Sequence, residues 1–109
     1  MAVHLLHVNI NGLRAKKCEL ESYLEIAKPD ILLLNETRLG KQPTPKLSGY
    51  SIAAVRNRGG DKPNGGGVAI YVTKGLKFTD ISPDIDDMAA IEIKTLNKSL
   101  AIVAYYRRS

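Results

Sequence analysis

Two stretches decide the fold of this chain, VHLLHVNING at residues 3–12 and KPDILLLNET at residues 28–37. Each contains an apolar run, at residues 3–10 and 31–34, that is followed by polar residues. Short continuous apolar runs of this kind are typical of central strands that are buried on both faces. A helical pattern separates the two runs, so the sequence predicts a β-α-β unit. In such a unit the two strands are parallel and the connection is right-handed.

The segment between the two stretches carries the helical pattern. Its apolar residues recur at three- and four-residue steps along one face: Leu13, Leu20, Leu24 and Ala27. Pro29 lacks a backbone N–H and cannot continue a helix, so we expect the helix to end near Lys28.

The second half of the chain has the pattern of short strands joined by turns. The predicted strands are residues 51–55, 67–72, 77–81, 89–95 and 100–105. Asn97-Lys98 is typical of a hairpin turn, and the glycine-rich residues 58–67 are predicted to form a flexible loop. One helix and about seven strands indicate an α+β, or layered α/β, fold with a mixed, mostly antiparallel sheet.

Composition bounds the function classes. The 109 residues are 44% hydrophobic and 25% charged, which excludes a disordered tail, a collagen-like fibre and a coiled coil. No apolar run approaches the roughly 20 residues that span a bilayer, and the single Cys18 cannot form an internal disulfide. We therefore expect an intracellular, reducing compartment, no targeting signal and no membrane partner. The net charge of +5 favours anionic partners such as nucleic acid or anionic membrane surfaces.

The ends of the two predicted parallel strands bring polar side chains together. Asn9 and Asn11 follow the first strand and Glu36 follows the second. Ligands of open α/β sheets bind at this edge, and oxygen donors of this kind suit Mg²⁺. The alternative is that Asn11-Gly12 caps the helix and Glu36 begins an ordinary loop.

The ordered set of motifs resembles the endonuclease/exonuclease/phosphatase superfamily over essentially the whole chain. These motifs are NINGLRA at residues 9–15, KPDILLLNET at 28–37, Gly49-Tyr50, GGGVAIYV at 65–72 and the final strand into Tyr106-Arg107. The combination is most similar to the N-terminal endonuclease domain of non-LTR (LINE-type) retrotransposon polyproteins, with apurinic/apyrimidinic endonucleases as more distant relatives.

The resemblance implies roles for individual residues. Glu36 matches the family's metal-binding glutamate for Mg²⁺ or Mn²⁺, and Asn9 matches an asparagine that organises the catalytic groups. Asn11 falls where some relatives carry an aspartate near the metal. Tyr106 matches a catalytic tyrosine near the phosphate, and Tyr105 is the alternative because Arg108 replaces the usual proline.

Basic residues near the helix start, the glycine loop and the end of the chain are candidates for contact with DNA. They are Arg14, Lys16, Lys17, Arg56, Arg58 and Arg107. Solvated surface positions are the alternative. Lysines near a helix N-terminus oppose the helix dipole, a small mismatch that either phosphate contact or solvation makes tolerable.

The family's later motifs, Asp-x-Asn and Ser-Asp-His, do not occur in this sequence. We therefore expect residues 1–109 to be a partial domain, the N-terminal half of a four-layered α/β sandwich. The resemblance implies a parent enzyme that nicks nuclear DNA for reverse transcription, in a polyprotein with a reverse transcriptase. We expect the half alone to be nearly inactive and to self-associate through an exposed sheet face. The alternatives are a non-catalytic nucleic-acid-binding or dimerising module and a superfamily phosphatase or phosphodiesterase.

Overall fold

The computed structural model describes residues 3–57 and 65–106 of the chain. Its elements are β1 (Leu5–Asn9), α1 (Leu13–Ala27), β2 (Ile31–Asn35), β3 (Tyr50–Arg56), β4 (Val68–Thr73), β5 (Thr79–Asp80), β6 (Met88–Lys94) and β7 (Ser99–Tyr105). Within those ranges the predicted helix and all seven predicted strands are present in the predicted order. The mixed α/β fold class is confirmed.

The strands form two sheets. The first sheet has the order β1-β2-β4-β3, and the second has the order β5-β6-β7. β1 and β2 are parallel, with Leu5 opposite Ile31 and Asn9 opposite Asn35, so the predicted β-α-β unit is confirmed. All other strand pairs are antiparallel.

Alternation along β2 explains how the layers pack. Leu32 and Leu34 face α1 together with Leu13, while Ile31 and Leu33 face the second sheet. The same alternation in β4 gives two apolar layers, one on each face of the first sheet. The described residues therefore stack in the order helix, first sheet, second sheet.

The burial of β1 contradicts one prediction. We expected this strand to be buried on both faces, but its residues alternate between exposed and half-buried, and Leu5 is 48% exposed. The reason is its place in the sheet, because β1 lies at the edge of the described strands whereas β2 lies inside. The apolar run was therefore a correct signal for a strand and a wrong signal for its burial.

Local hydrogen bonds accompany the ends of α1 and β5. The helix ends as predicted, because Lys28 adopts a left-handed conformation and its N–H bonds to the Leu24 carbonyl at 2.9 Å. β5 is shorter than the predicted residues 77–81. The Ser82 backbone N–H and hydroxyl both bond to the Asp80 carboxylate just after β5 ends, while Ile81 and Ser82 still bond to Ala90 of β6.

The predicted hairpin turn after β6 is also present. The Thr95 N–H bonds to the Lys98 carbonyl at 2.8 Å, which closes the turn into β7. β7 is an edge strand whose Val103 and Tyr105 are each about half exposed, whereas Ile102 and Ala104 are buried. No helix in the described ranges is long and apolar enough to cross a membrane.

Candidate active site

One row of residues across the first sheet marks the end of its strands at which predicted site residues lie, and we call this end the site edge. Asn9 lies opposite Asn35, Asn35 opposite Val68, and Val68 opposite Arg56. The carboxyl ends of β1, β2 and β3 thus meet at this edge. Glu36 follows Asn35 directly, so its backbone leaves the sheet at the same place.

Two backbone hydrogen bonds join the start of α1 to the same edge. The backbone N–H of Gly12 donates to the Glu36 carbonyl at 2.9 Å, and that of Leu13 donates to the Thr37 carbonyl at 3.0 Å. Of the Asn11-Gly12 pair expected to cap the helix in the alternative interpretation, Gly12 is the N-cap residue, and no side chain makes a capping hydrogen bond. Asn11 is instead an exposed residue with a φ of 49°, beside Gly12 with a φ of 104°.

Glu36 is engaged by a residue from the far end of the chain. The Tyr106 hydroxyl donates a hydrogen bond of 2.6 Å to Glu36 Oε1. Tyr106 follows β7 and packs against the core between the two sheets. Tyr105 is half exposed, because side chains alternate along β7 and Tyr105 lies on the face away from the core. Of the two candidate tyrosines, the structure brings Tyr106 to Glu36.

Three residues near Glu36, namely Thr37, Gly67 and Asp87, were not predicted from the sequence to be site residues. Thr37 and Asp87 are the two buried polar side chains of the described core, at 1% and 8% exposure. Asp87 Oδ1 accepts a hydrogen bond of 2.7 Å from the Gly67 N–H. The Gly67 carbonyl in turn accepts from the Thr37 N–H at 3.2 Å. The sequence around Asp84, Asp86 and Asp87 carries no signal that one of these carboxylates is buried.

The predicted basic residues are held in different ways. Arg14 approaches the Pro43 carbonyl at 3.4 Å, Lys17 lies 4.0 Å from Glu21 in the next turn, and Arg56 donates to the Pro83 carbonyl at 3.1 Å. Lys16 lines a cleft between α1 and β1. Arg58 and Arg107 lie outside the described residues. Arg14, Lys16 and Lys17 belong to the first turns of α1, and Arg56 ends β3, so these four lie toward the edge that carries Glu36.

A sequence profile of the Endonuclease/Exonuclease/phosphatase family matches residues 6–102. The chain belongs to this family. Members of the family generally depend on a divalent metal ion.

A transposon protein is among the relatives of this chain. The chain is 30% identical over 83 residues to a probable RNA-directed DNA polymerase from transposon X-element of Drosophila melanogaster. That match covers 76% of this chain and 9% of the relative. The resemblance to proteins of retrotransposons seen in the sequence is thereby confirmed.

Solved structures of the family share the fold. The endonuclease domain of TRAS1, a telomere-specific non-LTR retrotransposon, matches with a TM-score of 0.67 and 17% identity, covering 98% of this chain and 45% of that one. The AP endonuclease LMAP from Leishmania major matches with a TM-score of 0.66 and 18% identity, covering 94% and 38%. The 3′ phosphatase NExo from Neisseria, bound to product DNA hairpin, gives 0.59 and 21%, covering 92% and 40%. The chain thus spans less than half the length of each.

The donor set at the edge fits a hard cation held by one carboxylate. Glu36 Oε1 accepts from Tyr106, and no other described residue bonds to this carboxylate, so Oε2 is available. No three His, Cys, Asp or Glu side chains cluster as metal ligands in residues 3–57 and 65–106. Mg²⁺ commonly takes only one or two carboxylates and keeps several waters. Asn9 and Asn11 offer amide oxygens near the same edge.

Proposed function

We propose that this chain is the first portion of a metal-dependent DNA endonuclease domain that hydrolyses phosphodiester bonds. The observation that carries the proposal is the hydrogen bond from Tyr106 to Glu36 at the edge where parallel strands end. It joins two residues that are 70 positions apart and that the family resemblance independently marks as functional. A chance surface contact would not be expected to select this pair.

In this proposal each side chain at the edge has a defined task. Glu36 binds Mg²⁺, or Mn²⁺, through the oxygen that Tyr106 leaves available. When bound, the metal polarises the scissile phosphate and offsets its developing negative charge. Tyr106 orients the Glu36 carboxylate and presents its hydroxyl toward the phosphate. Asn9 donates amide hydrogens to phosphate oxygens, and Asn11 contributes at most a weak metal ligand.

The basic residues supply the attraction for DNA. Arg14, Lys16, Lys17 and Arg56 lie toward the same edge, and Arg58 and Arg107 follow β3 and β7 in the sequence. Phosphate contacts of this kind give affinity that falls steeply with salt. We propose DNA as the partner and target-site nicking in the nucleus, for a retrotransposon whose polyprotein carries a reverse transcriptase, as the parent activity.

The isolated chain is proposed to nick DNA very slowly. It lacks the Asp-x-Asn and Ser-Asp-His motifs, which would supply a positioned base and an electrostatic stabiliser. Each such group typically contributes about 10²–10⁴-fold in rate. Losing both leaves activity near background.

The test combines metal binding with cleavage. Backbone NMR signals of Asn9 and Tyr106 should broaden on adding Mn²⁺ to the full chain and should stay sharp in Glu36→Ala. Glu25→Ala, which removes an exposed carboxylate from α1, is the matched control and should broaden as the wild type does. Equal broadening in Glu36→Ala would refute the assignment of the metal ligand.

Supercoiled-plasmid nicking with Mg²⁺, with EDTA and with Glu36→Ala tests the activity itself. We expect little nicking in all three conditions. Robust nicking that EDTA and Glu36→Ala both abolish would establish the endonuclease and contradict the proposed inactivity. Salt-dependent DNA binding with no Mn²⁺ effect at Glu36 would instead favour a non-catalytic binding module.

A further inference from the structure

We infer that Asp87 is a positioning residue for the Glu36–Tyr106 pair. The inference rests on the proposed function for the assignment of that pair as the site, and it adds a residue to which neither the family motifs nor the sequence analysis gave a role. Asp87 lies immediately before β6, in the loop that connects it to β5. It contacts both halves of the site through two different atoms.

The contacts of Asp87 form part of a closed ring. Its carbonyl accepts a hydrogen bond of 2.9 Å from the Tyr106 N–H, and its Oδ1 accepts one of 2.7 Å from the Gly67 N–H. Gly67 is bonded through its carbonyl to Thr37, the neighbour of Glu36. The Tyr106 hydroxyl then closes the ring on the Glu36 carboxylate.

This ring is a direct link between the two sheets at the site edge. Gly67 precedes β4 of the first sheet, whereas Asp87 and Tyr106 flank β6 and β7 of the second. A shift of one sheet against the other would therefore change the distance from the Tyr106 hydroxyl to Glu36. The Asp87 side chain limits that shift because it holds Gly67 while its own backbone holds Tyr106.

Burial makes this restraint strong and specific. Asp87 is 8% exposed, and its bond to Gly67 is buried, where competition from water is weak. A carboxylate that accepts a backbone N–H also makes a shorter and stronger bond than a neutral acceptor does. Its φ of 59° is tolerated by aspartate better than by most residues, which favours Asp or Asn at this position.

Asp30 provides a matched control on the opposite edge of the first sheet. Its Oδ2 also accepts a backbone hydrogen bond of 2.8 Å, from the His4 N–H, at the start of β2 rather than at its end. Removing that side chain deletes a bond of the same donor and acceptor type, here at an exposed position, at a place that has no contact with the ring.

The experiment follows Tyr106 directly in the full 109-residue chain. The protein is labelled with ¹³C at the tyrosine ring carbon that carries the hydroxyl, and Tyr106→Phe assigns the signal among the five tyrosines. Without metal, we expect Asp87→Ala to move this signal toward the position it has in Glu36→Ala, where the hydrogen bond to the carboxylate is lost. Asp87→Asn keeps an oxygen acceptor for the Gly67 N–H and should retain most of the wild-type shift. Asp30→Ala should leave the signal in place.

Mn²⁺ gives the second readout. The concentration that half-broadens the Tyr106 signal should rise roughly tenfold in Asp87→Ala, as is typical when the partner of a metal ligand loses its support. It should change little in Asp87→Asn or Asp30→Ala. Should Asp87→Ala not fold by circular dichroism, Asp87→Ser replaces it, because the serine hydroxyl is too short to bridge to the Gly67 N–H.

Two results would overturn the inference. One is a folded Asp87→Ala, or Asp87→Ser, whose Tyr106 signal matches the wild type. The other is a shift of equal size in Asp30→Ala, which would mean that general loosening moves Tyr106. The metal-free signal does not depend on the proposed function. Failure of Glu36 as a metal ligand would appear separately, as Mn²⁺ broadening that Glu36→Ala does not reduce.

Discussion

Gly67→Ala should destabilise the protein far more than Gly49→Ala, although both glycines have positive φ angles, of 93° and 84°. A Cβ at Gly67 would collide with Thr37 Oγ1, whereas a Cβ at Gly49 would meet no atom within 4 Å. Both substitutions carry the strain of a left-handed conformation, roughly 1–2 kcal/mol. Gly67→Ala adds overpacking, typically 1–3 kcal/mol. We therefore expect the free energy of unfolding to fall by about 2–5 kcal/mol for Gly67→Ala and about 1–2 kcal/mol for Gly49→Ala.

Urea unfolding followed by circular dichroism measures both values. Tyrosine fluorescence gives a second probe, because the chain contains no tryptophan. The double variant Gly67→Ala/Thr37→Ser keeps the colliding hydroxyl and should recover little of the lost stability. The double variant Gly67→Ala/Thr37→Ala removes that hydroxyl and should recover part of it. Equal destabilisation by the two single substitutions would refute the reasoning, since it would show that the Thr37 contact contributes nothing beyond backbone strain.

Three further predictions concern the core, alkaline pH and association. Leu34→Ala, at a fully buried position, should lower the free energy of unfolding by about 2–5 kcal/mol in the same urea assay, and exposed Ile26→Ala by far less. Burial raises the pKa of Tyr71 above its usual value of about 10, so stability should fall as pH rises above 10, where the unfolded state ionises first. Tyr71→Phe should flatten that fall, and an unchanged slope would contradict the assignment. Val103→Glu on exposed β7 should lower the mass measured by light scattering at high concentration, while Lys98→Glu in the adjacent turn should not.

Local signals were enough to predict the elements and to bring the candidate site residues Asn9 and Glu36 to one edge. The four consecutive apolar residues before Asn35 indicated an inner strand, and Pro29 fixed the end of the helix. Parallel pairing of the first two strands then brought Asn9 and Glu36 to one edge without any tertiary information. Burial of β1 could not be predicted in this way, because an apolar run does not reveal whether a strand has one neighbour or two.

Contacts between distant parts of the chain could not be predicted from the sequence patterns. Nothing local at Glu36 points to a partner 70 residues away. The choice between Tyr105 and Tyr106 is set by strand parity, since Ile102 and Ala104 face the core and Tyr106 continues their side. The nearly uniform apolar sequence of β7 hides that alternation. Asp87 is a harder case, because only the fold buries it and brings it to Gly67 and Tyr106.

Backbone strain gives an independent reason to regard this edge as functional. Five residues other than glycine have positive φ angles in the described ranges, and four of them, Asn11, Glu36, Arg38 and Asp87, lie at or beside the site edge. The fifth, Lys28, ends the helix, where a left-handed residue is common. Each costs roughly 1 kcal/mol, and such residues persist where surrounding contacts impose them. Here the surrounding contacts are N–H donors from Gly12, Leu13, Gly67 and Tyr106, the Tyr106 hydroxyl, and the Gly66 carbonyl, which accepts from the Arg38 N–H. A fold that only needed to connect β2 to β3 would gain nothing from this strain, whereas a site that must hold one carboxylate in one orientation does.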